Sequence, residues 1–321
     1  MKTFSTLFIL IILSFATIAQ RQKVIFDCDL GGDIDDAFAV ALLLCSQEEF
    51  EILGLCMDHG NTPGRGRVAA KILYETGFDD IPVYLGEHTP TVVGVGTELE
   101  GESTQFLWAE GFDQLKPKEM SASDFIIESL NKYPGEIILF TVGPVDNIGE
   151  VVDKDPEALK NAKQVVSMFG SIDIGYGGGA PSPEWNVFGS LEASKKFINS
   201  GANILLAPLD ITDHVILGNE YLTAIFNRNT TLTDALGSLY ALWYRNAAWA
   251  THPKMFDGVA IGMVLWPELF ETKEVFVYVD DKGFTRVDKN KDPNCTVGIG
   301  IKKDKFINLM FRKIVNQNFR R

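Results

Sequence analysis

The chain has 321 residues, 46% of them hydrophobic and 22% charged, with a mean hydropathy of +0.06. That balance excludes extensive disorder and supplies core for one large α/β domain or two smaller ones. With 29 basic against 43 acidic residues the net charge is −14, which argues against a general nucleic-acid binder and fits an uncharged small molecule or a metal ion as partner.

In chain order, the first feature is a leader. Met1–Lys2 gives a positive start, Leu7 to Ile18 is almost continuously apolar, and Thr17-Ile18-Ala19 before Gln20 resembles a signal-peptidase site. The apolar run falls short of the ~20 residues that a membrane span needs. The expectation is a signal peptide over residues 1–19 and an exported mature chain, periplasmic or secreted, with no stable membrane insertion once the leader is cut. Cys28, Cys45, Cys56 and Cys295 lack the close pairing of a zinc or redox motif, and the first three read as buried small hydrophobes.

Past the leader, short apolar runs alternate with helical patterns. Strands are expected at 23–26, 51–57, 81–85, 136–141, 164–168 and 203–207, and helices at 35–45 and 67–76. A mostly helical stretch follows over 217–249, then a hairpin of 274–279 with 284–287 through Asp280-Asp281-Lys282-Gly283, then a closing helix over 303–316. This order is that of βαβ units around a mostly parallel sheet with helices on both faces. The stretch 86–121 is long, Gly-rich and weakly periodic, as lids and binding loops are. No repeat or linker divides the chain, so residues 20–321 are expected to form a single α/β domain.

The strongest chemical signal is Asp27-Cys28-Asp29-Leu30-Gly31-Gly32-Asp33-Ile34-Asp35-Asp36, five carboxylates within ten residues where a strand runs into a helix. In an open parallel sheet that is the strand end where ligands bind. Crowded carboxylates repel one another, and a hard divalent cation taking oxygen ligands relieves the repulsion. Helix capping by Asp33 or Asp35 and a favourable first-turn position for Asp36 explain two of the acids, but not Asp27 and Asp29 at the end of an apolar strand. The spacing does not fit an EF-hand loop.

This segment resembles the N-terminal signature of the inosine–uridine nucleoside hydrolase family, in a variant with two extra residues between the acidic pairs. The likeness continues in register through Gly60-Asn61, Thr141-Val142-Gly143-Pro144, Met168-Phe169-Gly170-Ser171, Glu184-Trp185-Asn186, Leu209-Asp210-Ile211-Thr212 and Phe256-Asp257-Gly258-Val259-Ala260. The resemblance implies a single α/β domain that binds Ca²⁺ and hydrolyses the N-glycosidic bond of ribonucleosides to ribose and free base. By position, Asp29, Asp36 and Asp257 would be carboxylate ligands of the metal, and Val142 would contribute its carbonyl. Asp29 would also take the proton of the attacking, calcium-activated water. Asp35, Asn61, Glu184 and Asn186 would hold sugar hydroxyls.

Two departures bear on the substrate. Gly178 stands where the family has an Asn six residues before the glutamate. Phe256 stands where many pyrimidine-accepting members have a His that protonates the leaving base. A purine, protonated on its ring or stacked between aromatic side chains, needs less help to leave, so purine-type or other N-ribosides are expected to be favoured. Trp185, Trp243, Trp249 and Phe256 are candidates for an aromatic base slot. Of the histidines His59, His88, His214 and His252, the last lies nearest in sequence to Asp257. The alternative reading is a calcium-dependent ribose- or nucleoside-binding protein with little turnover. A phosphatase built on Asp27-x-Asp29 lacks a matching Lys. The family is often oligomeric, and a homo-oligomer is an open expectation.

Overall fold

The computed structural model describes residues 20–89, 103–247 and 252–320. The expected leader, Trp249 and part of the 86–121 stretch lie outside them. In chain order the elements are β1 (Gln22–Cys28), α1 (Asp35–Leu44), β2 (Phe50–Met57), α2 (Thr62–Thr76), β3 (Val83–Leu85), α3 (Ala122–Lys132), β4 (Ile137–Thr141), α4 (Asp146–Lys154) and β5 (Gln164–Met168). Then come α5 (Trp185–Gly189), α6 (Leu191–Ile198), β6 (Ile204–Ala207), α7 (Leu209–Thr212), α8 (Asn219–Phe226), α9 (Thr231–Asn246) and α10 (Phe256–Leu265). The chain closes with β7 (Phe270–Val275), β8 (Val277–Val279), β9 (Thr285–Val287), β10 (Cys295–Ile301) and α11 (Lys303–Asn316).

Eight strands form one sheet in the order β3-β2-β1-β4-β5-β6-β10-β7, parallel except for the antiparallel edge strand β7. The expected single α/β domain with a mostly parallel sheet is therefore the observed one. Both faces are covered, and β1 shows why: Val24, Phe26 and Cys28 pack into one core with α1, α9, α10 and α11. Ile25 packs into the other with α3, α4 and α6. A strand buried on both sides reads as a continuous apolar run, which is how β1 and β4 appear in sequence.

The order of strands fixes where a ligand can bind. From β1 the chain proceeds outward through β2 and β3, then returns to β4 on the other side of β1 and proceeds the opposite way. The helices after β1 and β4 diverge at this reversal, leaving a crevice outside the carboxyl ends of the two strands. Asp27 pairs with Thr141 at that end, so the acidic segment and the Val142 turn open side by side.

Three departures from the sequence reading go beyond a shift of one or two residues at an element's end. Helix α2 begins five residues earlier than expected, because Asn61 caps it by accepting the Gly64 N–H at 2.9 Å and Pro63 fits its first turn. The expected strand 274–279 is split: residues to Val275 belong to β7 in the main sheet, and Val277–Val279 pairs with β9 in a separate hairpin. Strand β10, unforeseen, lies between β6 and β7; a Cβ on its Gly298 would run into Ile211 Cδ1, which would have to shift. Cys28, Cys56 and Cys295 are buried, Cys45 is half-buried, and all four are free thiols.

Candidate active site

The β1–α1 loop is turned by Gly31, whose φ of +98° suits a residue without a Cβ, and the Gly32 N–H closes the turn on the Asp29 carbonyl at 3.2 Å. Asp33 accepts the Ile34 N–H at 2.7 Å, and Asp35 and Asp36 occupy the first turn of α1. Helix α10 presents its own first turn from the opposite side, and the Asp257 N–H donates to Asp35 Oδ2 at 3.2 Å. Carboxylate oxygens of Asp35, Asp36 and Asp257 all lie within 4.8 Å of one another, and all three residues are buried.

Three carboxylates this close resist ionising together. Burial, followed by the charges of neighbouring carboxylates, pushes Asp35, Asp36 and Asp257 well above the usual carboxylate range. Asp36 Oδ1 is buried with no hydrogen-bond partner among the described residues. A partnerless buried oxygen in a group of three carboxylates is a donor set for a hard divalent cation, so the residues present fit a cation of the Ca²⁺ type. The family resemblance implied Asp29, Asp36, Asp257 and the Val142 carbonyl for the metal and Asp35 for the sugar; among the described residues the carboxylates that the fold gathers are those of Asp35, Asp36 and Asp257. Asp29 borders it, and its charge acts on all three.

A buried arginine explains the position of Asp29. The Arg65 side chain donates to the carbonyls of Asp29, of Leu30 at 3.3 Å and of His59 at 2.7 Å. Its Nη2 lies 3.9 Å from Asp29 Oδ2. Only 1% of Arg65 is exposed. Sequence reasoning missed it, because Arg65 stands ahead of the helix expected at 67–76, between two glycines, where nothing local marks it.

The turn after β4 brings in Val142. Its carbonyl accepts Asn186 Nδ2 at 2.7 Å, and Asn186 also donates to the Met168 carbonyl at 3.0 Å. Asn186 thereby ties the ends of β4 and β5 together. Glu184 caps α5 and is almost fully buried. Burial pushes its carboxyl up to about 7, against four hydrogen bonds that favour the charged form. Asn61 is half-buried at the start of α2, its Oδ1 engaged in the cap.

Phe256 is buried at the start of α10 with the Tyr176 ring edge-on at 6.3 Å and Lys254 Nζ 5.7 Å from its ring centroid. This is an aromatic wall with two proton-bearing neighbours, and Tyr176 is a second residue that sequence reasoning did not select. Trp185 is half-buried and meets His59 edge-on at 6.0 Å. Trp243 is buried beside Tyr240 and Tyr244, and its side chain hydrogen-bonds Asp33. His88 and His214 are exposed and His252 is half-buried. His59 is buried, its Nδ1 2.8 Å from Asp146 Oδ2.

A doubly covered, mostly parallel sheet with a buried carboxylate cluster at its strand-order reversal is an α/β architecture with a candidate site for a metal and a small ligand at its strand ends. The particular family follows from comparison. The model of the family "inosine-uridine preferring nucleoside hydrolase" matches residues 24–308, and the chain belongs to this family of N-ribosyl hydrolases. A non-specific ribonucleoside hydrolase of Klebsiella pneumoniae is 30% identical over 82% of this chain and 86% of its own. Uridine nucleosidase 1 of Arabidopsis thaliana is 28% identical over 83% of this chain and 80% of its own. The structure of a purine-preferring ribonucleoside hydrolase from Gardnerella vaginalis superposes with a TM-score of 0.79 at 24% identity, covering 92% of this chain and 98% of that one.

Proposed function

We propose that this protein is an exported, Ca²⁺-dependent hydrolase that cleaves the N-glycosidic bond of ribonucleosides or other N-ribosides, with purine-type bases favoured. The observation that carries the proposal is the group of three buried carboxylates at the sheet's crevice, with Asp36 Oδ1 unpaired. Asp36 and Asp257, with Asp29 or Asp35 and the Val142 carbonyl, would hold the cation. When bound it would supply Lewis acidity toward water and the sugar diol.

The chain's own groups account for the rest. Water adds its oxygen to C1′ as the C1′–N bond breaks. Asp29 takes one proton from that water and passes it on to solvent, and the departing base takes one up from solvent, giving ribose and free base. The sugar gains oxocarbenium character on the way, which the surrounding carboxylates favour electrostatically. Asn61, Glu184 and Asn186 supply hydrogen-bonding groups for sugar hydroxyls, and Asp35 serves either the sugar or the metal. Phe256 and Trp185 offer flat apolar surface to a base, and Phe256 has no proton to give. A purine, which can be protonated on its ring, suits that wall better than a pyrimidine.

The test is ribose release from a panel of purine and pyrimidine nucleosides, with and without a calcium chelator, with Asp29→Ala as control. Chelator-sensitive release, lost in the variant and greater for purines, is the expected result. Calcium-dependent nucleoside binding with no release would sink the hydrolase in favour of a binding protein. Export is checked by N-terminal sequencing of the protein from its native host, where a chain starting near Gln20 is expected.

A further inference from the structure

Glu184 accepts four hydrogen bonds. Oε1 takes the Asn186 N–H at 2.9 Å and the Tyr176 hydroxyl at 3.3 Å. Oε2 takes the Gly170 N–H at 2.9 Å and the Val187 N–H at 3.4 Å. A carboxylate offers about four acceptor positions, so every one is in use. The proposed function asks Glu184 to receive a sugar hydroxyl as well, which requires one donor to leave.

Three of the donors are backbone N–H groups, two in the first turn of α5 and one at the end of β5, and their elements hold them in place. The fourth is a side chain on the glycine loop 175–179. Tyr176 is 40% exposed. Gly177 and Gly178 beyond it have φ of +69° and +74°, with open space where a Cβ would stand. The loop itself is pinned one residue later, where the Gly177 N–H donates to Asp213 Oδ1 at 3.0 Å and Lys254 pairs with the same oxygen. Releasing the hydroxyl therefore needs rotation of one side chain and no movement of the loop.

The Tyr176 hydroxyl also accepts the Trp185 N–H at 3.0 Å. It thus donates to a carboxylate and accepts from a backbone N–H, the two roles that one sugar hydroxyl fills at the same point. We propose that Tyr176 is a specificity-determining residue: its hydroxyl occupies the sugar-hydroxyl position at Glu184 in the free enzyme and yields it to a ribosyl substrate. This inference rests on the proposed function. A ligand without the matching hydroxyl has nothing to put in place of the phenol, so the site discriminates against the corresponding deoxyriboside.

The experiment compares wild type with Tyr176→Phe, which keeps the ring and removes the hydroxyl. KM is measured for a ribonucleoside and for its 2′-, 3′- and 5′-deoxy analogues, and Kd for free ribose by calorimetry in the presence of calcium. Removing the competitor should tighten KM and Kd by about three- to tenfold, the size expected for one hydrogen bond of ordinary net strength. The gain should be absent for the one analogue lacking the docking hydroxyl. A weaker KM in Tyr176→Phe, an unchanged one, or an equal gain for all four substrates would overturn the assignment. A wild type that cleaves ribonucleosides separates that failure from failure of the proposed function; one that neither cleaves nor binds them overturns both.

Discussion

A Cβ on Gly143 would stand 2.9 Å from both the amide nitrogen and Oδ1 of Asp29. The turn after β4 thus reaches the proposed base so closely that only hydrogen fits between them. Both neighbouring atoms belong to a loop fixed by Arg65, so the loop has little freedom to retreat. Gly143→Ala is expected to displace Asp29 by several tenths of an ångström or more and to lower kcat by up to about 100-fold. The variant should still fold, as read by circular dichroism. Wild-type kcat in a folded Gly143→Ala protein would show that Asp29 is not positioned through this contact.

The carboxylate cluster makes a prediction about metal and stability together. Without a cation, Asp35, Asp36 and Asp257 disfavour one another's ionisation inside the core, and a bound cation would relieve that. Calcium at about 100 times its Kd should stabilise wild type by about 2.7 kcal/mol, seen as a rise in thermal midpoint that a chelator reverses. Asp36→Asn and Asp257→Asn should lose most of that rise. In chelator the same variants should melt no lower than wild type, because each removes a repelling charge. Equal calcium responses in wild type and both variants would place the metal elsewhere.

Arg65 carries a purely structural prediction. Its guanidinium is the shared donor for the carbonyls of Asp29, Leu30 and His59. Truncation leaves buried carbonyls unpaired and removes a positive charge from among carboxylates. Arg65→Met is expected to cost about 3–5 kcal/mol, measured by urea denaturation at neutral pH. A loss below about 1 kcal/mol would mean that water takes over those bonds and the loop does not depend on the arginine.

The contrast between Asp36 and Arg65 shows what could be read from the sequence. Strand β5 and helix α11 fall where periodicity puts them, because a run buried on both faces and an amphipathic closing helix are local patterns. The acidic loop was legible because capping accounts for two of its five carboxylates and leaves Asp27 and Asp29, at the end of an apolar strand, without a local use. Strand β10 was not, because in Cys295–Ile301 two glycines interrupt the apolar run for the sake of close packing against neighbours distant in sequence. Tyr176 and Arg65 escaped notice for the same reason: their partners, Glu184, Phe256, Asp29 and His59, meet them only in the folded chain. The entry of Asp35 into the carboxylate group depends on where α10 docks, which no spacing within residues 27–36 reveals.

Glu184 predicts a pH dependence of stability. Burial raises its carboxyl to about 7 in the folded protein from an ordinary value of 4.5. The folded state therefore holds the proton where the unfolded state has released it. Its contribution is fully present below about pH 4.5, declines as pH rises, and is lost by about pH 7. Other buried carboxylates titrate in the same window, so the informative quantity is the difference between wild type and Glu184→Gln. The wild-type stability curve should fall more steeply than the variant's between pH 4.5 and 7 and run parallel to it above that range. Parallel curves throughout would mean that the four hydrogen bonds offset the burial and leave Glu184 ionised at ordinary carboxylate pH.

Phe256 predicts a change of substrate. Its ring borders the site next to Asp257 and has no proton to donate, while a pyrimidine leaving group gains most from a general acid. Phe256→His places an ionisable group at that point, with Tyr176 and Lys254 as neighbours. General acids contribute about 10²–10⁴-fold where well placed, and an unoptimised one less, so uridine release should rise about tenfold relative to inosine release. The Lys254 ammonium disfavours a second positive charge nearby, partly offset by its ion pair with Asp213. The new uridine activity should therefore be greatest at acidic pH and fall as the imidazole loses its proton, while inosine release shows no such added limb. A uridine-to-inosine ratio unmoved by the substitution would remove Phe256 from the base site, and with it the argument for purine preference.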